Sequence, residues 1–329
     1  MIQISSIVRY TPDDAREFAF EAAIAAGAAE AAARSLANAT VAAELCGRAS
    51  VGFAHLPDYL DGFAAGRIIG QAEPEIAFPV PAAIHVDGRG GIAQLGFDRA
   101  FDALRQRAGL HGLAVFMQHN SYTAGELGYY VRRLADAGLV ALAVSNGPAL
   151  MTAGSGRKPV YGTNPMAFAA PVSDAPPLVI DQASSATAFV KVRRAAEMEE
   201  AIPAGWAVNA DGEPTTDARQ AIKGALLAFG GARGANIALI VEVLAAGLTG
   251  ANWSLDAPSF ADGTDSPGVG LFVIALSPTL LAPDLPARLA LQVERLAAHG
   301  VHIPGRTPIV DEIALPKGLV DAIKDHGKA

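Results

Sequence analysis

Residues Pro159-Val-Tyr-Gly-Thr-Asn-Pro165 have the composition of a tight turn. Gly162 permits a positive φ, Pro165 fixes φ, and Asn164 can bond its own backbone. Such a turn presents backbone N–H groups, a hydroxyl and a carboxamide together, and these groups can hold a phosphate or an amide. Many turns of this composition do no more than reverse the chain. Whether this turn also binds a ligand must therefore be judged from the neighbouring sequence.

Short apolar runs separated by turn residues surround this turn, and they predict β-strands. A helix over residues 124–137 interrupts them, with apolar side chains on one face. The middle of the chain, residues 111–219, is therefore predicted to be rich in strands. The predicted strands are Leu113–Met117, Val140–Val144, Met166–Ala169 and Leu178–Ile180.

The two flanks of this middle segment carry helix signals. Thr11 is a predicted N-cap, Pro12 fits the first helical position, and acidic residues follow in the first turn. We therefore expect a discontinuous α/β arrangement of the α+β kind, in which the two ends of the chain pack together beside the middle. The predicted helices cover residues 11–47, 56–70, 92–107, 218–250 and 285–299, with strands at 83–87 and 270–276 and a Pro-rich linker or edge at 74–81.

Composition narrows the class of protein. With 329 residues, 51% of them hydrophobic and 18% charged, the chain can bury a large core. The net charge of −8 argues against nucleic-acid binding, because no basic block is present to neutralise phosphates. The single cysteine, Cys46, fits a reducing compartment. The apolar run 235–251 contains Glu242 and predicts a buried helix, so we expect a soluble, cytoplasmic protein without a membrane span or signal peptide.

A glycine-rich run resembles the fingerprint of dinucleotide-binding Rossmann folds. It is Gly88-Arg-Gly90-Gly-Ile-Ala93, and it follows a predicted strand. A Rossmann fold also needs an acidic residue at the end of the next strand to hold the ribose. That strand ends in Gln118-His119-Asn120 instead, and no regular strand–helix alternation surrounds the run. We therefore interpret it as a plain turn.

Several further motifs follow one another in a fixed order along the chain. They are Ser145-Asn146, the turn at 159–165, Asp181-Gln-Ala-Ser-Ser185, Pro203-Ala-Gly-Trp206, Asp211-Gly-Glu-Pro-Thr-Thr-Asp217 and Gly230-Gly-Ala-Arg-Gly234. With these motifs the chain resembles the malate/L-lactate dehydrogenase family, a non-Rossmann group of NAD(P)-dependent reductases of 2-oxo acids and cyclic imino acids. The resemblance runs from about residue 10 to Arg306, which is nearly the whole chain.

The resemblance implies an architecture and a cofactor. Residues 111–219 would form an NAD(P)-binding domain on a mostly antiparallel sheet, and residues 1–110 with 220–329 would form a helical substrate and dimerisation region. Relatives work as homodimers with the site near the interface. The cofactor would be NADPH or NADH, with NADPH favoured. The implied cofactor-binding residues are Ser121, Thr123, Gly162, Thr163, Asn164, Asp181, Ser184, Arg233 and Arg306.

The chain departs from the family at its proton donor, a histidine within a Ser-His-Gly triplet. The matching residues here are Ser50-Val51-Gly52, so a valine stands in the histidine position. His55 stands where relatives place an arginine, and Thr123 replaces a second histidine. Arg48 lies in the same segment and is the candidate for binding a substrate carboxylate, since its guanidinium can make a bidentate contact.

Three interpretations of these departures are open. The protein could bind its ligands without catalysis, or the acid could have moved to His55 or His119. Alternatively, the substrate needs no acid, as for a cyclic imine that binds already protonated. Asp181 at a strand end would then orient the nicotinamide or hold the iminium N–H, unless it only caps the strand.

These considerations predict an enzyme that acts on a small 2-imino or 2-oxo acid. The favoured function is reduction of Δ1-pyrroline-2-carboxylate or Δ1-piperideine-2-carboxylate. The alternatives are a 2-hydroxy acid dehydrogenase for malate, lactate or sulfolactate, and a catalytically silent nucleotide-binding protein. The candidate catalytic residues are Ser50, Asp181, His55 and His119, and the candidate substrate-binding residues are Arg48, Val51 and Thr123. No histidine pair has the spacing of metal ligands, so no metal site is predicted.

Overall fold

The computed structural model describes residues 6–154, 157–306 and 310–326. Its α-helices are α1 (Pro12–Ala25), α2 (Glu30–Leu45), α3 (Leu56–Ala64), α4 (Ala93–His111), α5 (Leu127–Asp136), α6 (Phe189–Glu197), α7 (Ala218–Ile222), α8 (Ala232–Glu242), α9 (Pro278–Leu281), α10 (Leu285–Ala298) and α11 (Lys317–His326). Its strands are β1 (Ile7–Tyr10), β2 (Glu75–Val80), β3 (Ala83–Asp87), β4 (Leu113–Ser121), β5 (Val140–Ser145), β6 (Met166–Val172), β7 (Ala175–Gln182), β8 (Ala207–Val208), β9 (Pro214–Thr215), β10 (Ala225–Leu226), β11 (Val269–Leu276) and β12 (Ile313–Pro316).

A seven-stranded sheet forms the centre of the molecule. Its strand order is β2-β3-β4-β11-β5-β6-β7, and each neighbouring pair is antiparallel except β3 and β4. The mostly antiparallel sheet agrees with the predicted α+β kind of fold. The sheet extends beyond the predicted middle domain, because β2, β3 and β11 lie outside residues 111–219. The boundary of an NAD(P)-binding domain at those residues stays a prediction.

Helices cover both faces of this sheet. On one face, α4 and α5 pack Phe97 and Tyr130 against Phe116 of β4, with ring centroids 5.5 Å and 4.9 Å from Phe97. On the other face, Val241 of α8 and Ala245 pack against Phe272 of β11. Burial of these aromatic and aliphatic side chains supplies the main driving force for the layered packing.

The N-terminal helices form a second core beside the sheet. Thr11 caps α1 as predicted, since its hydroxyl oxygen accepts a hydrogen bond from Asp14 N at 3.1 Å. Helices α1, α2 and α3 bury alanine and leucine faces against one another and against β12 and α11 from the other end of the chain. This helical core therefore joins the N-terminal helices to β12 and α11, and the proposed grouping of residues 1–110 with 220–329 stays a prediction.

The glycine-rich run forms a turn between β3 and α4 whose N–H groups bond to the protein itself. Gly88 N donates to His119 O at 2.9 Å, and Gly90 N donates to Asn120 O at 2.8 Å. One strand–helix–strand unit surrounds the run, since β3 and β4 on either side of α4 form a parallel pair. It is a single unit inside an otherwise antiparallel sheet.

Two predicted helices differ in extent from the observed ones. The helix predicted over 56–70 ends at Ala64, and the segment 218–250 is divided into α7, β10, α8 and a π-helical stretch over Val243–Leu248. The apolar run 235–251 covers most of α8 and the whole π-helical stretch. Within the described ranges, no helix is both long and apolar enough to cross a bilayer.

Candidate active site

A cleft opens where β7 ends, α5 begins and the turns after α2 approach them. Its volume is about 260 Å³, and a second cavity of about 150 Å³ adjoins it. Val51, His55 and Thr163 line both cavities, together with Phe260. The first cavity is also lined by Arg48, Ser50, Glu126 and Asp181, and the second by Thr123.

Asp181 joins the end of β7 to the start of α5. Its Oδ2 accepts a hydrogen bond from Gly128 N at 2.8 Å, so the carboxylate caps the helix from outside. Burial raises the pKa of Asp181, and the Gly128 N–H and the charges of Arg48 and Arg132 oppose this shift. A half-buried carboxyl group at the end of β7 thus lines the cleft, and one of its oxygens caps α5.

Arg48, Ser50 and Val51 reach the cleft on the 3₁₀ turn that follows α2. The Nη2 atom of Arg48 donates to the Asp181 carbonyl oxygen at 3.1 Å, which holds the guanidinium at the mouth of the site. Arg48 is otherwise exposed and can receive an anionic group. Val51 is half-buried and adds an aliphatic surface where the family motif has its histidine.

His55 takes part in a charged cluster with two residues that the sequence analysis did not single out. Its Nδ1 lies 2.7 Å from Oδ2 of Asp58, and both oxygens of Asp58 accept hydrogen bonds from Arg193 at 3.1 and 3.2 Å. Burial alone would raise the pKa of Asp58, but His55 and Arg193 together lower it to about 2. The ring of His55 therefore faces the cleft with its orientation fixed by a carboxylate.

Replacing Asp58 by Asn should lower the free energy of unfolding by about 2 kcal/mol near pH 7, because the depressed pKa measures the stabilisation of the charged form. The loss relative to the wild type should shrink as the pH falls from about 4 to about 2, where the wild-type carboxylate takes up its proton. Urea unfolding at several pH values measures this. Asp102→Asn, with a carboxylate that is 79% exposed, is the matched control. A loss that does not change over this pH interval would contradict the assignment.

Thr123 borders the second cavity, but its hydroxyl is turned towards the protein. Thr123 Oγ1 donates to the Tyr59 hydroxyl at 2.8 Å, and Tyr59 in turn donates to the Thr123 carbonyl oxygen at 3.2 Å. Burial raises the pKa of Tyr59 to about 12, so this hydroxyl keeps its proton. Thr123 therefore shapes the cavity wall next to a neutral tyrosine.

The turn at 159–165 differs from the prediction in which residue has the positive φ and in why Gly162 is needed. The positive φ falls at Asn164, at 37°, and Gly162 is needed because a Cβ there would lie 2.8 Å from the Gly147 carbonyl oxygen. The Asn164 side chain is fully buried, and its Nδ2 donates to Glu242 Oε2 at 2.7 Å and to Ala238 O at 2.9 Å. Thr163 and Pro165 are the residues of this turn that line the cleft.

Several predicted cofactor contacts are engaged inside the protein. The Gly162 N–H bonds to Ser254 Oγ, and Ser184 Oγ donates to Asn164 O at 2.7 Å. Ser121 is buried and accepts from Gln118 Nε2. These three residues, like Asn164, hold the turn and the strand ends in place, so the Gly162 N–H and the hydroxyls of Ser184 and Ser121 are not presented to a ligand in the cleft.

The remaining candidates lie away from the cleft. His119 stacks on His85 with ring centroids 4.9 Å apart and lines neither cavity, so its suggested role as proton donor is not supported by its position. Arg233 is exposed in the first turn of α8. Arg306 is exposed beside a separate cavity of about 610 Å³ next to α10. Among the residues the structure describes, no cluster of three His, Cys, Asp or Glu side chains could hold a metal ion.

The chain's own surfaces fit a nicotinamide dinucleotide in two respects. Leu150, Pro165 and Phe260 give the cleft an apolar wall against which a planar ring could stack. The N-terminus of α8 carries Arg233 and follows Gly230 and Gly231, which both have positive φ. A helix N-terminus with a free cation favours a phosphate group.

Comparison with known proteins decides the family. The model of the malate/L-lactate dehydrogenase family matches residues 10–316. The chain belongs to this family. The resemblance inferred from the ordered motifs is thereby confirmed, and this family member is an NAD(P)-dependent oxidoreductase.

Proteins similar to this family member include a sulfolactate dehydrogenase and Δ1-pyrroline-2-carboxylate reductases. A (2R)-3-sulfolactate dehydrogenase (NADP(+)) of Chromohalobacter salexigens is 38% identical over 88% of the chain and 89% of the relative. A Δ1-pyrroline-2-carboxylate/Δ1-piperideine-2-carboxylate reductase of Pseudomonas putida is 39% identical over 77% of the chain and 74% of the relative. The crystal structure of Δ1-piperideine-2-carboxylate reductase from Pseudomonas syringae superposes with a TM-score of 0.92 at 30% identity, over 97% of this chain and 99% of that one.

Proposed function

We propose that this chain is an NAD(P)H-dependent reductase of a cyclic 2-imino acid. The substrate would be Δ1-pyrroline-2-carboxylate or Δ1-piperideine-2-carboxylate, and the product L-proline or L-pipecolate. The observation that carries the proposal is Val51, an aliphatic side chain in the cleft at the family's proton-donor position. The similarity to the reductases of P. putida and P. syringae supports this substrate class.

Imine chemistry explains why a valine is tolerated there. A cyclic imine is a stronger base than a ketone and can bind as the protonated iminium. A bound NAD(P)H would supply a hydride for carbon C2 of the iminium, whose C=N electron pair would then become the lone pair of a neutral amine. No protein acid is needed at this step, whereas a ketone would form an alkoxide that requires one. Arg48 would hold the substrate carboxylate, and Val51 would pack against the ring.

Product formation tests this proposal. The purified protein is incubated with NADPH or NADH and either imine, and cofactor oxidation is followed together with chromatographic detection of proline or pipecolate. We expect one molecule of the cyclic amino acid to form for each molecule of NADPH or NADH that is oxidised. If neither imine is converted with either cofactor, while a 2-oxo acid is, the proposal is wrong.

Arg233 is proposed to contact a phosphate of the cofactor. Replacing it by Ala should raise the cofactor KM roughly tenfold to 150-fold with little change in kcat, because a charged hydrogen bond of about 1.5–3 kcal/mol is made equally in the ground and transition states. Arg105→Ala removes an arginine from the surface of α4 and is the matched control. If kcat falls while the cofactor KM does not change, Arg233 has another role.

A 2-hydroxy acid dehydrogenase is the second candidate function, and His55 is the observation that favours it. His55 lines the cleft and is oriented by Asp58, which is the arrangement expected of a proton donor. The similarity to the sulfolactate dehydrogenase agrees with this alternative. Efficient reduction of pyruvate, oxaloacetate or sulfopyruvate that is lost in His55→Gln would favour it over imine reduction.

We also propose that the protein is a homodimer. The end of α8 and the segment after it expose large apolar side chains, with Ile240 55%, Val243 50%, Leu248 55% and Trp253 45% exposed. An apolar surface of this kind on a globular protein marks an interface. Light scattering of the purified protein should give about twice the mass of the chain, 33.7 kDa. A monomer at micromolar concentration would contradict the proposal.

A further inference from the structure

Glu126 is a buried acidic residue that the proposed reaction has not yet used. It lines the cleft, and its side chain is 2% exposed. Its Oε1 accepts from Arg132 Nη2 at 3.0 Å, whereas its Oε2 is buried and finds no hydrogen-bond donor in the part of the chain that the structure describes. A buried carboxyl oxygen without a donor is costly, so such a group calls for an explanation.

Glu126 lies beside Asp181 at the start of α5. A Cβ added at Gly128 would meet Glu126 Oε1 at 2.6 Å and Asp181 Oδ2 at 3.2 Å, so the two carboxyl groups share the space above this glycine. Burial raises the pKa of Glu126, the Arg132 charge lowers it, and the Asp181 charge raises it further. Asp181 Oδ2 already accepts from the Gly128 N–H, whereas the buried Glu126 Oε2 accepts no hydrogen bond from the described residues and is left available to a donor in the cleft.

The charges around the cleft match one class of substrate. Arg48 can neutralise a single carboxylate at the mouth of the site, and Arg132 is already paired with Glu126. A second anionic group on the substrate, such as a sulfonate or another carboxylate, would face the carboxyl groups of Glu126 and Asp181. A cationic N–H would instead find an acceptor there.

We propose that Oε2 of Glu126 accepts a hydrogen bond from the protonated ring nitrogen of the substrate and thereby selects cyclic iminium acids over 2-oxo acids. This inference rests on the proposed function. When the hydride reaches C2, the nitrogen keeps its proton and gains the electron pair of the C=N bond. Glu126 therefore neither gives nor takes a proton. The only change beside it is that the ring nitrogen loses its positive charge. Its role is recognition of the cationic ring.

Binding of two ligands with the same ring size isolates this contact. L-Proline carries a cationic ring nitrogen, whereas (S)-tetrahydrofuran-2-carboxylate has an ether oxygen in its place. Both are titrated calorimetrically into the protein with oxidised cofactor. Glu126→Gln should weaken L-proline binding roughly tenfold to 150-fold, the range for a charged hydrogen bond. Binding of the ether should change less than about threefold, since it lacks the N–H.

Two further variants complete the test. Asp136→Asn removes a carboxylate next to Arg132 that does not line the cleft, and it should leave both ligands unchanged. Glu126→Asp keeps the charge on a shorter side chain and should give an intermediate loss of affinity for L-proline. This variant also tests the contact if Glu126→Gln does not fold. Equal weakening of both ligands, or no weakening of L-proline, would overturn the assignment.

The experiment separates this inference from the proposed function. If the wild type reduces both imines while Glu126→Gln binds L-proline normally, the assignment of Glu126 fails and the function stands. If the wild type reduces neither imine but Glu126→Gln still loses L-proline selectively, the function fails and the cation-binding role stands.

Discussion

Val51→His should give the protein a 2-oxo acid reductase activity that exceeds the wild-type activity roughly 10²–10⁴-fold. A histidine at this position supplies the proton donor that a ketone needs, and a well-placed general acid contributes a factor of this size. Reduction of the cyclic imine should stay unchanged or fall, because a polar ring would intrude where the substrate ring packs. The measurement is kcat/KM for pyruvate and for Δ1-pyrroline-2-carboxylate in both proteins.

Val51→Leu is the matched control for this prediction. It changes the bulk beside the ring without adding a proton donor, so it should impair imine reduction and leave 2-oxo acid reduction at the wild-type level. Should the wild type already reduce pyruvate or oxaloacetate efficiently, another residue donates the proton. His55 would then be the candidate, because it faces the cleft and is oriented by Asp58.

Arg48→Met should lower kcat/KM for the imine roughly 100-fold to 1,000-fold, which corresponds to about 3–4 kcal/mol for a charge pair that loses one partner. Arg48 lines the cleft, and its guanidinium is held at the mouth by the Asp181 carbonyl oxygen. Most of the loss should fall on KM, because the substrate carboxylate is bound in the ground state as well. Steady-state kinetics at saturating cofactor measure it.

Arg48→Lys separates the charge from the geometry. A lysine keeps the cation but cannot form the planar bidentate contact, so kcat/KM should lie between those of the wild type and Arg48→Met. Identical kinetics for all three proteins would show that Arg48 does not bind the carboxylate.

Local signals in the sequence predicted most of the individual elements. The cap at Thr11 and the apolar runs of β4, β5, β6 and β7 depend on nearby residues, and they are present where expected. The order of strands in the sheet depends on contacts between distant parts of the chain. The parallel pairing of β3 with β4 and the insertion of β11 between β4 and β5 could not be derived from periodicity.

The candidate site divides in the same way. Ordered motifs drew attention to Arg48, Val51, His55 and Asp181, and the structure brings them to one cleft. The turn at 159–165 was recognised from composition, but the direction of the Asn164 side chain was not, because its partner Glu242 is 78 residues away. A hydroxyl or amide group in a motif can form its hydrogen bonds within the protein as readily as with a ligand.

Two features of the cleft and its surroundings could not be predicted because they arise only in three dimensions. Arg193 reaches Asp58 across 135 residues of sequence, and no local pattern relates them. Glu126 lies in the segment 124–137, whose periodicity predicts a helix and no site. Its position two residues before Gly128, at the start of α5, was the available signal, because an acid at a helix N-terminus next to a glycine is a candidate for a close contact.

The ratio of two specificity constants tests the central claim most directly. We predict that kcat/KM of the unmodified protein for Δ1-pyrroline-2-carboxylate or Δ1-piperideine-2-carboxylate exceeds that for pyruvate and oxaloacetate by at least roughly 100-fold. Reduction of a ketone needs a proton donor, and the protein has Val51 at the position where the family motif has its histidine. A ratio near one, or a preference for a 2-oxo acid, would contradict the account and assign proton donation to another residue in the cleft.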